Sequence, residues 1–157
     1  MQYIERELAP DTKIPIRIGF IKPNGAPSII SLWYIDINGK IYCATQKTAK
    51  ILHYLENKPT CGFEIAGDQP PYKVSRVERT VKIIPSKGSE ILKMLIKKYL
   101  GDKESTLSKF LTSHSKNEIA IEITPRKIFH YDYSKRMKGI KIWMMTDVLH
   151  AVQKILA

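Results

Sequence analysis

The chain has 157 residues, enough for one domain with a sizeable core, and 43% apolar residues at a mean hydropathy of −0.23 fit a globular protein. No apolar run reaches the about 18 residues of a membrane span, and the opening "MQYIERELAP" carries acids in place of an apolar leader, so a cytoplasmic protein off the membrane is expected. With 26 Lys+Arg against 15 Asp+Glu the net charge is +11, which favours anionic partners, nucleic acid or phosphorylated cofactors, or simply a well-solvated surface, and does not choose among them.

"KIPIRIGFIK" alternates Ile14, Ile16, Ile18 and Phe20 on one face, a strand at period two, and "PNGAP" turns the chain. "PSIISLWYIDI" reads as a single second strand, followed by an Asn38-Gly39 hairpin turn and a third strand, "KIYCAT". On this reading the second and third strands pair across the turn, which sets "SIISLWYI" beside the end of the third. Trp33 and Tyr34 are adjacent and therefore point to opposite faces, one into the core and the other free to wall a site.

A short helix is expected from Thr48 to about Glu56, with Ile51, Leu52 and Leu55 inward and Pro59 past its end. "TCGFEIA" is a fourth strand, "GDQPP" a loop, and a long fifth strand runs from about Tyr72 to Ile84. Ser86 or Ser89 is placed to cap the next helix, whose Ile91, Leu95 and Tyr99 recur at spacing four before Gly101. "DKESTLSKFLTSHSK" predicts a further helix with Leu107, Phe110 and Leu111 inward. "NEIAIEITP" alternates Ile119, Ile121 and Ile123 as a sixth strand, "RKIFHYDY" makes a seventh, and the tail predicts a helix over about 146–156.

Strands joined by tight turns imply antiparallel pairing. The expected fold is mainly β: one domain over 1–157, a six- to seven-stranded antiparallel barrel with peripheral helices. Cys43 and Cys61 lie in separate apolar runs and read as buried reduced thiols, and neither they nor the four histidines show metal-ligand spacing.

The corner between third strand and helix, "TQKTAK", gathers two hydroxyls and two lysines with no acid. A helix N-terminus offers unpaired N–H groups and the positive end of the macrodipole, a natural seat for phosphate. Thr48 is placed to cap, Thr45 to point into the corner, and Lys47 and Lys50 to flank it. Lysines in a first turn oppose the dipole unless an anion lies between; the plainer alternative is two solvated lysines and a capping threonine.

The run "GFIKPNGAPSIISLWYIDINGKIYCATQKTAKILHYLENKPTCGFEI" resembles the pyridoxamine 5'-phosphate oxidase-like, FMN-binding split-barrel family. Shared features, in order, are a glycine turn, a proline, a strand ending in an aromatic pair, a second glycine turn, a strand ending in Ser/Thr, an S-x-K helix start and an N-x-P stop, with Thr48 in the serine's place. "PPYKVSRVERTVKII" and "LIKKYLG…LSKFL…IAIEITPRKIFHYDY" extend the likeness over roughly Ile14 to Tyr133.

The resemblance implies a homodimer with FMN at the subunit interface and a flavin-dependent oxidoreductase acting on a small molecule, with deazaflavin as the alternative cofactor in this fold. It places Ser28, Ile29, Ile30 and Ser31 along the ring, Trp33 close to ring and substrate, Ala44 and Thr45 near the ribityl chain, and Thr48 and Lys50 on the phosphate. Lys47 is an additional candidate. Relatives have arginine where this chain has Ala49, glycine where it has Arg79, and, in the true oxidase, arginine where it has Ser28. The oxidase's C-terminal Arg-x-His is missing, which argues against vitamin B6 oxidation. Catalytic residues are not identifiable.

Storage or sensing of flavin without turnover shares the same site. A basic nucleic-acid-binding barrel is the reading from a different class, resting on "YDYSKRMKGIKIW", where aromatics flank Lys135, Arg136, Lys138 and Lys141. The plainer view of that stretch is a closing strand and a solvated turn.

Overall fold

Strand β1, Ile16–Ile21, buries Ile16, Ile18 and Phe20 and exposes Arg17 and Ile21, the expected alternation. The computed structural model describes residues 13–67, 73–125 and 129–137, so "GDQPP" after Gly67 and the predicted helix over 146–156 lie outside the described residues. A tight turn follows β1: the Gly25 N–H donates to the Lys22 carbonyl and the Lys22 N–H to the Ala26 carbonyl, both at 2.9 Å.

The expected second strand is two. β2, Pro27–Leu32, pairs with β1, from Ile16 opposite Leu32 to Ile21 opposite Pro27. β3, Tyr34–Ile37, instead pairs with β4, Lys40–Gln46, with Tyr34 opposite Cys43. Only Tyr34–Ile37 thus lie beside β4 across the Asn38-Gly39 turn, which corrects the expected pairing of "SIISLWYI". The break falls at Trp33, where one apolar run passes from one partner strand to another. Asn38 and Gly39 take φ of 54° and 76°, the left-handed pair that a two-residue hairpin requires.

Helix α1, Lys50–Asn57, buries Ile51, Leu52 and Leu55. β5 is Thr60–Ala66 and β6 is Lys73–Ile84; a single 3₁₀ turn, Pro85–Lys87, leads into α2, Gly88–Leu100. Because that turn precedes α2, Lys87 occupies the N-cap position and neither Ser86 nor Ser89 caps the helix. Gly101 ends it at φ 82°.

In α3, Thr106–Ser113, the inward face differs from expectation. Leu107 and Phe110 are 47% and 55% exposed. The cause is local: Ser105 and Ser108 form a reciprocal capping box that turns Ser108 inward. At about 100° per residue, this sets Phe110 on nearly the opposite side and Leu107 about a quarter-turn away. Leu111 is half-buried.

β7, Glu118–Ile123, and β8, Phe129–Asp132, complete the sheet. Strand order is β2-β1-β5-β6-β7-β4-β3, with β8 on β6, and every pairing is antiparallel. The long β6 belongs to both halves: Val74–Thr80 pair with β5, and Val81–Ile84 with β7. The described residues thus form eight strands, one more than expected because of the break at Trp33.

Alternate residues of the sheet feed two cores. One fills the barrel with Ile16, Ile18, Tyr34, Ile41, Cys43, Leu55, Phe63 and Ile121; the other packs Tyr42 and Ala120 under Ile91, Leu95 and Tyr99 of α2. Both cysteines are free and buried, and burial pushes the Cys61 thiol up to about 12 and the Cys43 thiol higher still, so neither is a ready nucleophile. Among the described residues no helix is long and apolar enough to cross a membrane.

Candidate functional site

Along β4, Ile41 and Cys43 face the barrel while Tyr42 and Ala44 face α2. Thr45 continues the barrel-side row and is half-buried; Gln46, Lys47 and Thr48 are exposed. The elbow is fixed from two sides. The Lys47 N–H donates to the Asn117 carbonyl at 2.7 Å, where β7 begins, and the Ala49 N–H donates to the Gln46 carbonyl at 2.8 Å.

This turn decides the start of α1. Ala49 sits at the N-cap position with extended backbone, φ −69° and ψ 124°, and no side chain caps the helix. Thr48 is one residue too early to do so, which corrects the expectation that it caps. The first turn holds no acidic residue and no side chain caps it; the Leu52 N–H donates to the Ala49 carbonyl at 3.1 Å, which leaves the Lys50 and Ile51 N–H groups without a partner among the described residues. Exposed Lys47, Thr48 and Lys50 surround that end. Unpaired donors, a positive dipole end and two cations are what a phosphate needs.

The other predicted residues lie on two further elements. On β2, Ser28 and Ile30 turn inward and are half-buried, while Ile29 and Ser31 are exposed, Ile29 by 73%. Among the described residues β2 pairs only with β1, so its outer edge offers the backbone groups of alternate residues of this stretch. Ile29 stands beside Gly19, itself opposite Gly62, so two positions without side chains adjoin the exposed Ile29 side chain on the outer face. Trp33 and Ala44 belong to the α2 side. The Trp33 ring stacks on Tyr99 at 4.8 Å between centroids and 7° between planes, while Tyr34 enters the barrel core. The structure therefore gathers Thr45, Lys47, Thr48 and Lys50 at one elbow, sets Ser28–Ser31 on an open edge, and places Trp33 and Ala44 beneath α2.

Two features behind the elbow escape a reading of the sequence. Glu118 lies opposite Gln46 on the ladder and is only 8% exposed, and burial raises its carboxyl above the usual range. Farther along the same strand, Glu122 accepts from the Tyr42 hydroxyl at 2.6 Å and from Lys40 Nζ at 3.1 Å. These bonds hold the Glu122 carboxyl below its usual range, and the Tyr42 phenol is pushed up to about 12 by the same contact. They latch β4 to β7. The partners are 80 residues apart in the chain, so no local signal announces them.

No protein-family model and no curated protein matches the chain. Solved structures do. A conserved hypothetical protein from Mycobacterium tuberculosis superposes with TM-score 0.69 at 17% identity, over 85% of this chain and 86% of that one. An F420 reductase superposes with TM-score 0.67 at 13% identity, over 82% and 98%. A putative pyridoxamine 5'-phosphate oxidase from Listeria innocua gives 0.56 at 13%, over 74% and 86%. At such identities the likeness carries the fold alone. With its shared β6, its antiparallel order and these neighbours, the chain has the split-barrel fold of the pyridoxamine 5'-phosphate oxidase-like proteins.

Proposed function

We propose that this chain binds a flavin-type cofactor, with the cofactor phosphate on the elbow before α1, and acts as a flavin-dependent oxidoreductase on a small molecule. The observation that carries the proposal is the uncapped, acid-free N-terminus of α1 flanked by Lys47, Thr48 and Lys50. Neighbours whose names denote an F420 reductase and a putative pyridoxamine 5'-phosphate oxidase support it.

When bound, the cofactor supplies the chemistry of accepting and passing on a hydride or electrons. The chain's own residues hold and tune it. Lys50 and the first-turn N–H groups bind the phosphate, the Thr48 hydroxyl adds a donor, and the open edge of Ser28–Ser31 lines the ring. Lys47 and Lys50 bring positive charge that favours negative charge on the bound group. FMN is the first reading. A deazaflavin is the second, because the F420 reductase superposes better than the Listeria protein, 0.67 against 0.56. The exposed Ile29 and the open edge of β2 suit a homodimer, in which a second copy covers this face.

The test is to denature the purified full-length protein and identify any released chromophore by mass. FMN and a deazaflavin are then titrated into the stripped protein. Lys50→Ala is expected to weaken binding about tenfold, the loss of one charge-assisted contact, whereas Lys135→Ala leaves it unchanged. Equal binding by wild type and Lys50→Ala would remove the elbow from the site.

A further inference from the structure

The opposite end of α1 borders a cleft of about 470 Å³, lined by Ile21, Lys22, Pro23 and Gly25 from the β1–β2 turn and by His53, Tyr54, Asn57 and Lys58 from the helix. That volume falls within the about 300–1,000 Å³ of small-molecule sites. We propose that it is a second ligand site, for a small phosphate monoester carrying an apolar or aromatic group. The proposal does not rest on the flavin reading: an eight-residue helix, about 12 Å long, separates the two places.

The lining divides by chemistry. Lys22 and Lys58 are cations without an ion-pair partner among the described residues, the exposed His53 ring adds a hydrogen-bonding group, the Asn57 amide nitrogen is engaged by His53, and no lining residue is acidic. Ile21, Pro23 and the Tyr54 ring form the apolar part. A dianionic head between the lysines and an apolar body against Tyr54 satisfies both parts at once. A helix C-terminus ordinarily repels an anion. Here the Lys58 N–H occupies the Tyr54 carbonyl at 3.0 Å, Asn57 Nδ2 donates to the His53 carbonyl one residue deeper at 2.8 Å, and the charges of Lys22 and Lys58 outweigh the dipole.

Both walls are set in advance. The turn is closed by the two Lys22 hydrogen bonds and by the Ala26 N–H donating to Asn24 Oδ1 at 3.1 Å, and Gly25 holds the left-handed φ of 81° that this turn needs. Tyr54 is stacked on Phe20 with centroids 5.7 Å apart. A site built on fixed walls loses little entropy on binding, so modest contacts suffice for measurable affinity.

Amide NMR titration of the full-length protein with phenyl phosphate tests this. Saturable shifts are expected at Gly25, at Lys58 and in the Asn57 side-chain amide. The Lys22→Ala/Lys58→Ala double variant should bind at least tenfold more weakly, inorganic phosphate severalfold more weakly, and benzyl alcohol without saturation. Lys50→Ala should leave this binding intact. Shifts confined to the elbow, an affinity unchanged in the double variant, or equal binding of inorganic phosphate or benzyl alcohol would each overturn the proposal.

Discussion

Helix α1 finishes its two ends in opposite ways. At the C-terminal end, the Asn57 amide and the Lys58 N–H take up two carbonyls, and the chain folds back into a concave cleft. At the N-terminal end, alanine holds the capping position, no side chain accepts from the first turn, and exposed lysines stand where the dipole disfavours them. Helix ends need partners for their free backbone groups, and a capping Ser, Thr, Asp or Asn is worth about 1 kcal/mol. At the N-terminal end the Leu52 N–H is already taken by the Ala49 carbonyl at 3.1 Å, which leaves the Lys50 and Ile51 N–H groups to water or to a ligand. The contrast is thus a functional argument, and substitutions can test each half of it.

The largest effect is expected at Gly88, which supports the open end from behind. A Cβ built there would lie 1.8 Å from the Glu118 carbonyl oxygen and 2.6 Å from the Ile119 nitrogen, both backbone atoms. The same start of β7 supplies the Asn117 carbonyl that anchors Lys47. Gly88→Ala gains up to about 1 kcal/mol of helix propensity, but the clash with rigid backbone outweighs it, and a net loss of about 3 kcal/mol is expected in urea unfolding. Flavin binding at the elbow should weaken, while phenyl phosphate binding at the far cleft persists in the folded fraction. A variant as stable as wild type would show that α2 and β7 do not approach this closely.

A smaller change addresses the open end itself. Ala49→Ser places a hydroxyl where the backbone is already extended for capping. Stability in the absence of ligand should rise by about 0.5–1 kcal/mol, less a little for the contact Ala49 makes with the barrel core. Affinity for flavin should fall severalfold, because the hydroxyl takes an N–H that the phosphate needs. The two measurements moving in opposite directions is the distinguishing outcome. If both stay put, those N–H groups are not available at the elbow.

The elbow is legible in the sequence because it is contiguous: six consecutive residues hold two hydroxyls, two lysines and no acid, although its anchor to Asn117 across the sheet is not. Local patterns likewise anticipate β1, the Asn38-Gly39 turn, the span of β5 and the buried face of α1. The cap was misplaced by one residue, since a backbone hydrogen bond from Ala49 to Gln46, not residue preference, sets the first helical turn. The break at Trp33 was hidden because apolar residues continue through it and only pairing with β1 reveals it. In "NEIAIEITP" the alternation of Ile119, Ile121 and Ile123 anticipates the strand but not its second face, which α2 covers and on which Glu118 and Glu122 are each 8% exposed. The far cleft joins residues 21–25 to residues 53–58, and no single window of sequence contains both.

Those two glutamates yield the smallest effect, and one whose sign is fixed. Glu122 is held below the usual carboxylate range by Tyr42 and Lys40, so it stabilises the fold above the unfolded value of about 4.3 and ceases to do so as pH falls through its folded value. Glu118 runs the other way. Burial raises its carboxyl, and among the described residues it has no hydrogen-bond partner, so the folded chain keeps a proton that the unfolded chain has already released. Stability therefore falls as pH rises from about 4.3 to the folded value of Glu118, and the loss is complete above that value. Glu118→Gln should abolish this fall, leave the acid limb due to Glu122, and make the protein modestly more stable at neutral pH. Because Glu118 lies opposite Gln46 at the foot of the elbow, removing its charge should also tighten anion binding there slightly and leave the far cleft unchanged. Urea midpoints measured from about pH 2 to 8 for both proteins decide it. Superimposable profiles would mean that Glu118 is hydrated in the fold and that the elbow carries no buried negative charge beneath it.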